Sequence, residues 1–130
     1  MNDRLVRPAG LERMRLLVTG GREYRDLPAI FDTLDRIAAE RKITALICGM
    51  ALGADCIAAT WAEMRGVEVV PFPVSKAEWR RFGNGAGPVR NRRMIVEGKP
   101  DAFVAFPGGN GTADMIRQAT RAAIERIPLT

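Results

Sequence analysis

DAFVAFPGGNGTADM, residues 101–115, holds the transition on which the reading of this chain turns. Ala102 to Phe106 is a short apolar run closed by Pro107, which reads as a buried strand. Three glycines and a threonine follow, and then a segment with helical spacing begins. Strand, glycine-rich turn and helix in that order form the repeating unit of a parallel sheet covered by helices.

The same unit recurs upstream. RLLVTG (15–20) and TALICG (44–49) read as strands, as does VEVVPF (67–72), and the fourth strand is 101–106. Helices are expected at about 27–41, 54–65, 89–96 and 112–126, with IPLT (127–130) as a short fifth edge strand. Asp26 is placed to cap the first helix and Pro28 lies in its first turn. The segment PVSKAEWRRFGNGAGP (73–88) is long for a connection in such a fold and reads as a functional lid or a partly disordered loop. Right-handed crossovers then predict a doubly wound α/β fold with four or five parallel strands in the order 3-2-1-4-5. In that order the turn TGGREY after the first strand and the turn PGGNGT after the fourth line one crevice at the strand carboxyl ends.

Composition narrows the chemistry. The chain has 130 residues, 20 Lys and Arg against 15 Asp and Glu, a net charge of +5, and no histidine. The lack of histidine excludes Ser-His-Asp and Cys-His catalysis and His-containing zinc sites, and no metal site is expected. The positive field favours anionic partners, nucleotide or nucleic acid. Residues 1–13 are expected to form a mobile basic leader and 14–130 a single domain. Cys48 and Cys56 read as buried thiols without a disulfide. No apolar run approaches a membrane span and no signal sequence is visible, so a cytoplasmic protein with no membrane partner is expected.

The glycine turns point to phosphate. Backbone amides at a helix N-terminus attract anions, and glycine lets the main chain approach them closely. Gly20 and Gly21, Gly49 and Gly53, and Pro107, Gly108, Gly109 and Gly111 make three such turns, with Thr112 at the expected helix cap. None has the spacing of a Walker A or a GxGxxG turn. Arg22 can make a bidentate contact with a phosphate or carboxylate. Tyr24 can stack on a base or pack on the first helix. Asp55 is a helix cap or a ribose-hydroxyl acceptor. Arg90 and Arg93 share a helix face as ligand candidates, and Arg92 points to solvent. Asn91 is a ligand contact or a turn cap. Trp79, among Lys76, Arg80 and Arg81, fits a nucleotide lid, a single-stranded DNA contact or a simple anchor.

RNRRM (90–94) followed by DAFVAFPGGNGT (101–112) resembles the signature of the LOG-type cytokinin-activating phosphoribohydrolases. VTGGREY (18–24), CGMALGADCIAATWAEMRGV (48–67) and AGPVRNRRM (86–94) are more similar to the YspA/cpYpsA-related SLOG family, in the superfamily that includes DprA/Smf. The resemblance implies a Rossmann-like three-layer sandwich. Its expected ligand is a nucleotide or a nucleotide-derived, ADP-ribose-like molecule, with no cofactor required. Superfamily relatives are often dimers, so a homodimer is among the expected partners, and nucleic acid ranks below nucleotide.

The same resemblance tests for hydrolysis. Phosphoribohydrolases of that type carry a Glu three residues after the loop threonine and an Arg four residues before the methionine. Arg90 matches the Arg, but Met115 stands in place of the Glu and Asn91 in place of the neighbouring Lys. Asp114 and Arg90 are therefore the residues left for catalysis, and Asp114 otherwise reads as a complement to the helix dipole. Binding by a sensor or binding module is the expected function. N-glycosidic hydrolysis of a nucleoside monophosphate and DprA-like single-stranded DNA binding are the alternatives.

Overall fold

The computed structural model describes residues 12–129. The expected leader lies outside these residues except for its last two. Glu12 already accepts a hydrogen bond from the Lys42 amide at 2.8 Å, and the first strand starts at Arg13.

Five parallel strands run in the order β3-β2-β1-β4-β5. They are β1 (Arg13–Thr19), β2 (Lys42–Cys48), β3 (Glu68–Pro71), β4 (Ala102–Ala105) and β5 (Glu125–Arg126). The helices are α1 (Leu27–Glu40), α2 (Ala54–Met64), α3 (Lys76–Phe82), α4 (Ala86–Val96) and α5 (Asn110–Arg121). The chain is thus a Rossmann-like α/β sandwich. Among the described residues, no helix is long and apolar enough to cross a membrane.

Over their buried stretches the strands are largely apolar because the sheet is covered on both faces, and the period of two sorts their side chains between two cores. Leu16, Val18, Ala102, Val104 and Phe106 pack with Ile30, Leu34 and Ile37 of α1 and Ala58, Trp61 and Ala62 of α2. Their neighbours Leu17, Phe103 and Ala105 turn to the opposite face, against Met94 of α4 and Met115 and Ala119 of α5. The helices following β1 and β4 therefore lie on opposite faces of adjacent strands. Their N-terminal turns splay apart and leave a gap at the strand ends.

Several expectations change. The 73–88 segment is not a disordered loop: α3, a short 3₁₀ turn at Gly83–Gly85 and the first turn of α4 occupy most of it. A capping box explains the start of α3. Ser75 Oγ accepts from the Glu78 amide at 3.0 Å, and Glu78 Oε1 accepts from the Ser75 amide at 2.9 Å. Helix α5 runs from Asn110 to Arg121 rather than over 112–126, and Gly109 is its N-cap. Ala123, at φ 60°, ends it while the Ile124 amide donates to the Ala119 carbonyl at 3.0 Å. The fifth strand accordingly falls at Glu125–Arg126, before IPLT. Cys48 is buried, but Cys56 is only half-buried.

Candidate functional site

The turn after β1 and the turn after β4 touch. The Gly21 amide donates to the Pro107 carbonyl at 2.8 Å, and the Ala54 amide at the start of α2 donates to the Gly21 carbonyl at 3.2 Å. Three turns are thereby tied together, and glycine is what lets them meet. A Cβ on Gly21 would lie 2.8 Å from Gly108 Cα, and one on Gly108 would strike the Thr112 hydroxyl. A Cβ on Gly53 would strike the Gly21 carbonyl oxygen, and that residue also holds φ at +81°. A Cβ on Gly49 would run into the Arg90 guanidinium. These glycines serve contact between turns.

Gly109 and Gly111 differ, because a Cβ at either would meet no atom within 4 Å. They stand open on a crevice of about 350 Å³. Gly20, Gly21 and Arg22 contribute one side of it, Asp55 and Ala51 another, and Arg90, Asn91, Gly109, Gly111 and Thr112 the remainder. Thr19, Glu23 and Asn110 also line it. Of the other expected site residues, Pro107 and Gly108 line a separate hollow beside β4, and Gly49 lines an adjoining cleft. Gly53 acts through its contact with the first turn.

The wall formed by α5 is anion-seeking. Gly109 supplies no side-chain cap. The amides of the first turn, Asn110, Gly111 and Thr112, have no partner further back in the helix and carry the positive end of its dipole. Thr112 lies inside this first turn and is buried, so it is not the cap that the sequence suggested.

Arg90 enters from α4. Its Nη1 donates to the carbonyls of Gly49 at 2.8 Å and Phe72 at 3.2 Å, and its Nε to Asn91 Oδ1 at 3.1 Å. These bonds fix the guanidinium at the edge of the crevice. Burial lowers its pKa, with the charge of Asp55 opposing. Asn91 in turn donates from Nδ2 to the Gly111 carbonyl at 3.2 Å and to Asp114 Oδ2 at 3.0 Å. It is buried and locks α4 to the first turn of α5.

Asp55 is the crevice's buried carboxylate, only 5% exposed. Gly53, not Asp55, caps α2. Asp55 Oδ2 accepts from the amides of Gly49 at 3.1 Å and Ala51 at 3.4 Å, whereas Oδ1 has no hydrogen-bond partner among the described residues. Burial pushes the carboxyl up to about 6, against the lowering pull of those amides and of Arg90.

Two further residues stand apart from their expected places, Arg93 and Asp114. Arg93 does not join Arg90, because its Nη2 pairs with Glu78 Oε1 at 2.9 Å and it holds α3 against α4. Arg92 is exposed, as its position on the helix implied. Asp114 does not line the crevice: its carboxylate accepts from Asn91 and from Gln118 Nε2 at 2.8 Å. Met115 is 0% exposed in the core beneath α5, so its position does not face the crevice. Tyr24 stacks on Phe106 with ring centroids 5.8 Å apart and packs against the core on the α1 side of the sheet. Glu23 and Asn110 joined the site without a sequence signal beyond their place beside the glycines. Among the described residues, no group of three or more Cys, Asp or Glu is placed to hold a metal.

Comparison with known proteins agrees with this architecture. A solved structure of DNA processing protein A (DprA) from Streptococcus pneumoniae superposes with a TM-score of 0.66 at 15% identity, over 88% of this chain. The match takes in 49% of the DprA chain, so the present chain spans about half of that protein's length. The Gene 61 protein of Mycobacterium phage D29 is 35% identical over 119 residues, which is 87% of this chain and 94% of the phage protein. Residues 14–82, which carry the first two glycine turns, the buried Asp55 and the capped helix α3, match the YspA, cpYpsA-related SLOG family, and the chain belongs to that family.

Proposed function

We propose that the crevice binds a nucleotide or a nucleotide-derived phosphate compound and that the protein acts as a sensor or binding module. One arrangement carries this reading: an uncapped helix N-terminus flanked by Arg22 and Arg90 shares the crevice with a buried carboxylate that has a free acceptor oxygen. The first suits a phosphate. The second suits a donor hydroxyl of a sugar, since a buried acceptor without a partner is costly until one arrives. Membership of the SLOG family supports the same reading.

Hydrolysis has weaker support. Asp114 is engaged by Asn91 and Gln118, and Met115 is in the core, so neither offers an acid or base to a ligand in the crevice.

Thermal shift with a panel of nucleoside mono- and diphosphates and ADP-ribose tests the binding. Binding to the native state alone adds about 2.7 kcal/mol at a hundred times the dissociation constant. The expected result is a raised Tm for at least one compound, abolished by Gly109→Val, with no free base released on incubation. A panel without any shift refutes binding. Base release by the native protein refutes the restriction to binding.

A further inference from the structure

Arg22, Ala51, Arg90 and Gly111 line two spaces at once, the phosphate-seeking crevice and an adjoining cleft of about 510 Å³. The second cleft adds side chains that the first lacks. Met50, Leu52, Pro73, Val74 and Trp79 line it beside the shared Arg22 and Arg90, so large apolar side chains stand next to cations. Seven large hydrophobic side chains are exposed among the described residues, and three of them, Met50, Leu52 and Trp79, meet here. Apolar and aromatic side chains gathered in one cleft beside a few polar groups have the make-up of a small-ligand site.

This cleft is also held in shape. Trp79 is 52% exposed, yet its helix is fixed by the Ser75–Glu78 capping box and by the Arg93–Glu78 ion pair. Met50 sits in the left-handed region at φ 58°, a conformation unfavourable for a residue with a side chain. Arg90, anchored on the Gly49 and Phe72 carbonyls, stands where the two spaces join. A nucleoside phosphate has the same two-part character, charged and hydroxylated at one end and flat and apolar at the other.

We propose that the cleft beside Trp79 seats the aromatic base of the ligand, with Trp79 as its stacking platform, so that the site selects nucleotides over sugar phosphates. The inference rests on the phosphate reading of the crevice. Helix α3 is then the specificity element, and the residues joining it to α4 are positioning residues.

Fluorescence and calorimetric titrations with AMP, GMP, CMP, UMP and ribose 5-phosphate test this. The chain has two tryptophans, and Trp61 is 1% exposed with its Nε1 bonded to Asp35, so a ligand-dependent change in emission reports Trp79. At least one nucleotide is expected to bind about tenfold or more tightly than ribose 5-phosphate and to quench the emission, as stacking on an aromatic side chain implies. Trp79→Ala is expected to remove that preference while leaving ribose 5-phosphate affinity unchanged, and Trp79→Phe to retain most of it. Ribose 5-phosphate binding as tightly as the best nucleotide overturns the base site and leaves the phosphate reading standing. Failure of all five compounds overturns both readings. Tight binding of an oligothymidylate without any mononucleotide binding assigns Trp79 to single-stranded DNA instead. The comparison of ligands on the native protein stands even if the alanine variant fails to fold.

Discussion

The Gly21 amide hydrogen-bonds the Pro107 carbonyl at 2.8 Å, joining residues 86 positions apart at the point where the sheet's winding reverses. This bond extends the β1–β4 pairing into the turn after β1 and the turn after β4, and so helps set the width of the crevice between them. Glycine in these turns therefore has two separate uses, contact between turns and access for a ligand.

The two uses predict opposite phenotypes. Gly108→Ala places a methyl group against the Thr112 hydroxyl and the Gly21 amide and is expected to cost roughly 1–3 kcal/mol of stability. Gly109→Ala meets open space at φ −101° and is expected to change stability by less than about 1 kcal/mol while weakening ligand binding. Urea denaturation of both variants measures the contrast. Equal stabilities would show that the two glycines do not divide the work in this way.

Asp55 predicts a pH signature. Burial penalises the charged form and pushes its carboxyl up to about 6 in the folded protein, above the ordinary 3.8. Between those values the folded chain binds more protons than the unfolded chain, so this group's contribution to stability falls as pH rises and levels off above about 7. Asp55→Asn removes the titration. The variant is expected to gain roughly 2–3 kcal/mol relative to the native protein between about pH 4 and pH 7. Denaturation midpoints across that range check it, and a difference independent of pH would contradict the assignment.

Met115→Glu separates this fold from a hydrolase pattern imposed on it. Position 115 packs beside Leu17, Ile47 and Phe103, so a carboxylate there is expected to cost about 3 kcal/mol or more and to confer no base release. A stable variant that releases base from a nucleoside monophosphate would show that α5 presents this position to the crevice after all.

Much of this was legible in the sequence because the strands are apolar runs of fixed length and the turns between them carry glycine. Those signals placed four strands and the 3-2-1-4-5 order. The end of α5 was hidden because Ala123 takes the left-handed conformation that a glycine would have advertised. Helix α3 was hidden differently: Ser75 and Glu78 have the spacing of a capping box, but the glycines just beyond them suggested an unstructured loop. For the candidate site, residue type pointed to Arg90 and Asp55, which line the crevice, while pairing placed Arg93 elsewhere. Both arginines are on α4, and Arg93 pairs with Glu78 on α3 instead of lining the crevice. Such a partner, contributed by another helix, leaves no mark in local spacing.

Amide chemical shifts test the central claim most directly. In a ¹⁵N-labelled sample titrated with AMP, the account predicts saturable shifts of the Gly109, Asn110, Gly111 and Thr112 amides, which form the open first turn of α5, together with Gly21 across the crevice. The control sites are the edge-strand amides of Glu68 and Val69, which belong to β3 and are expected to stay still. Saturable shifts confined to residues elsewhere, with the α5 amides unmoved, would contradict the assignment of this crevice as the phosphate site.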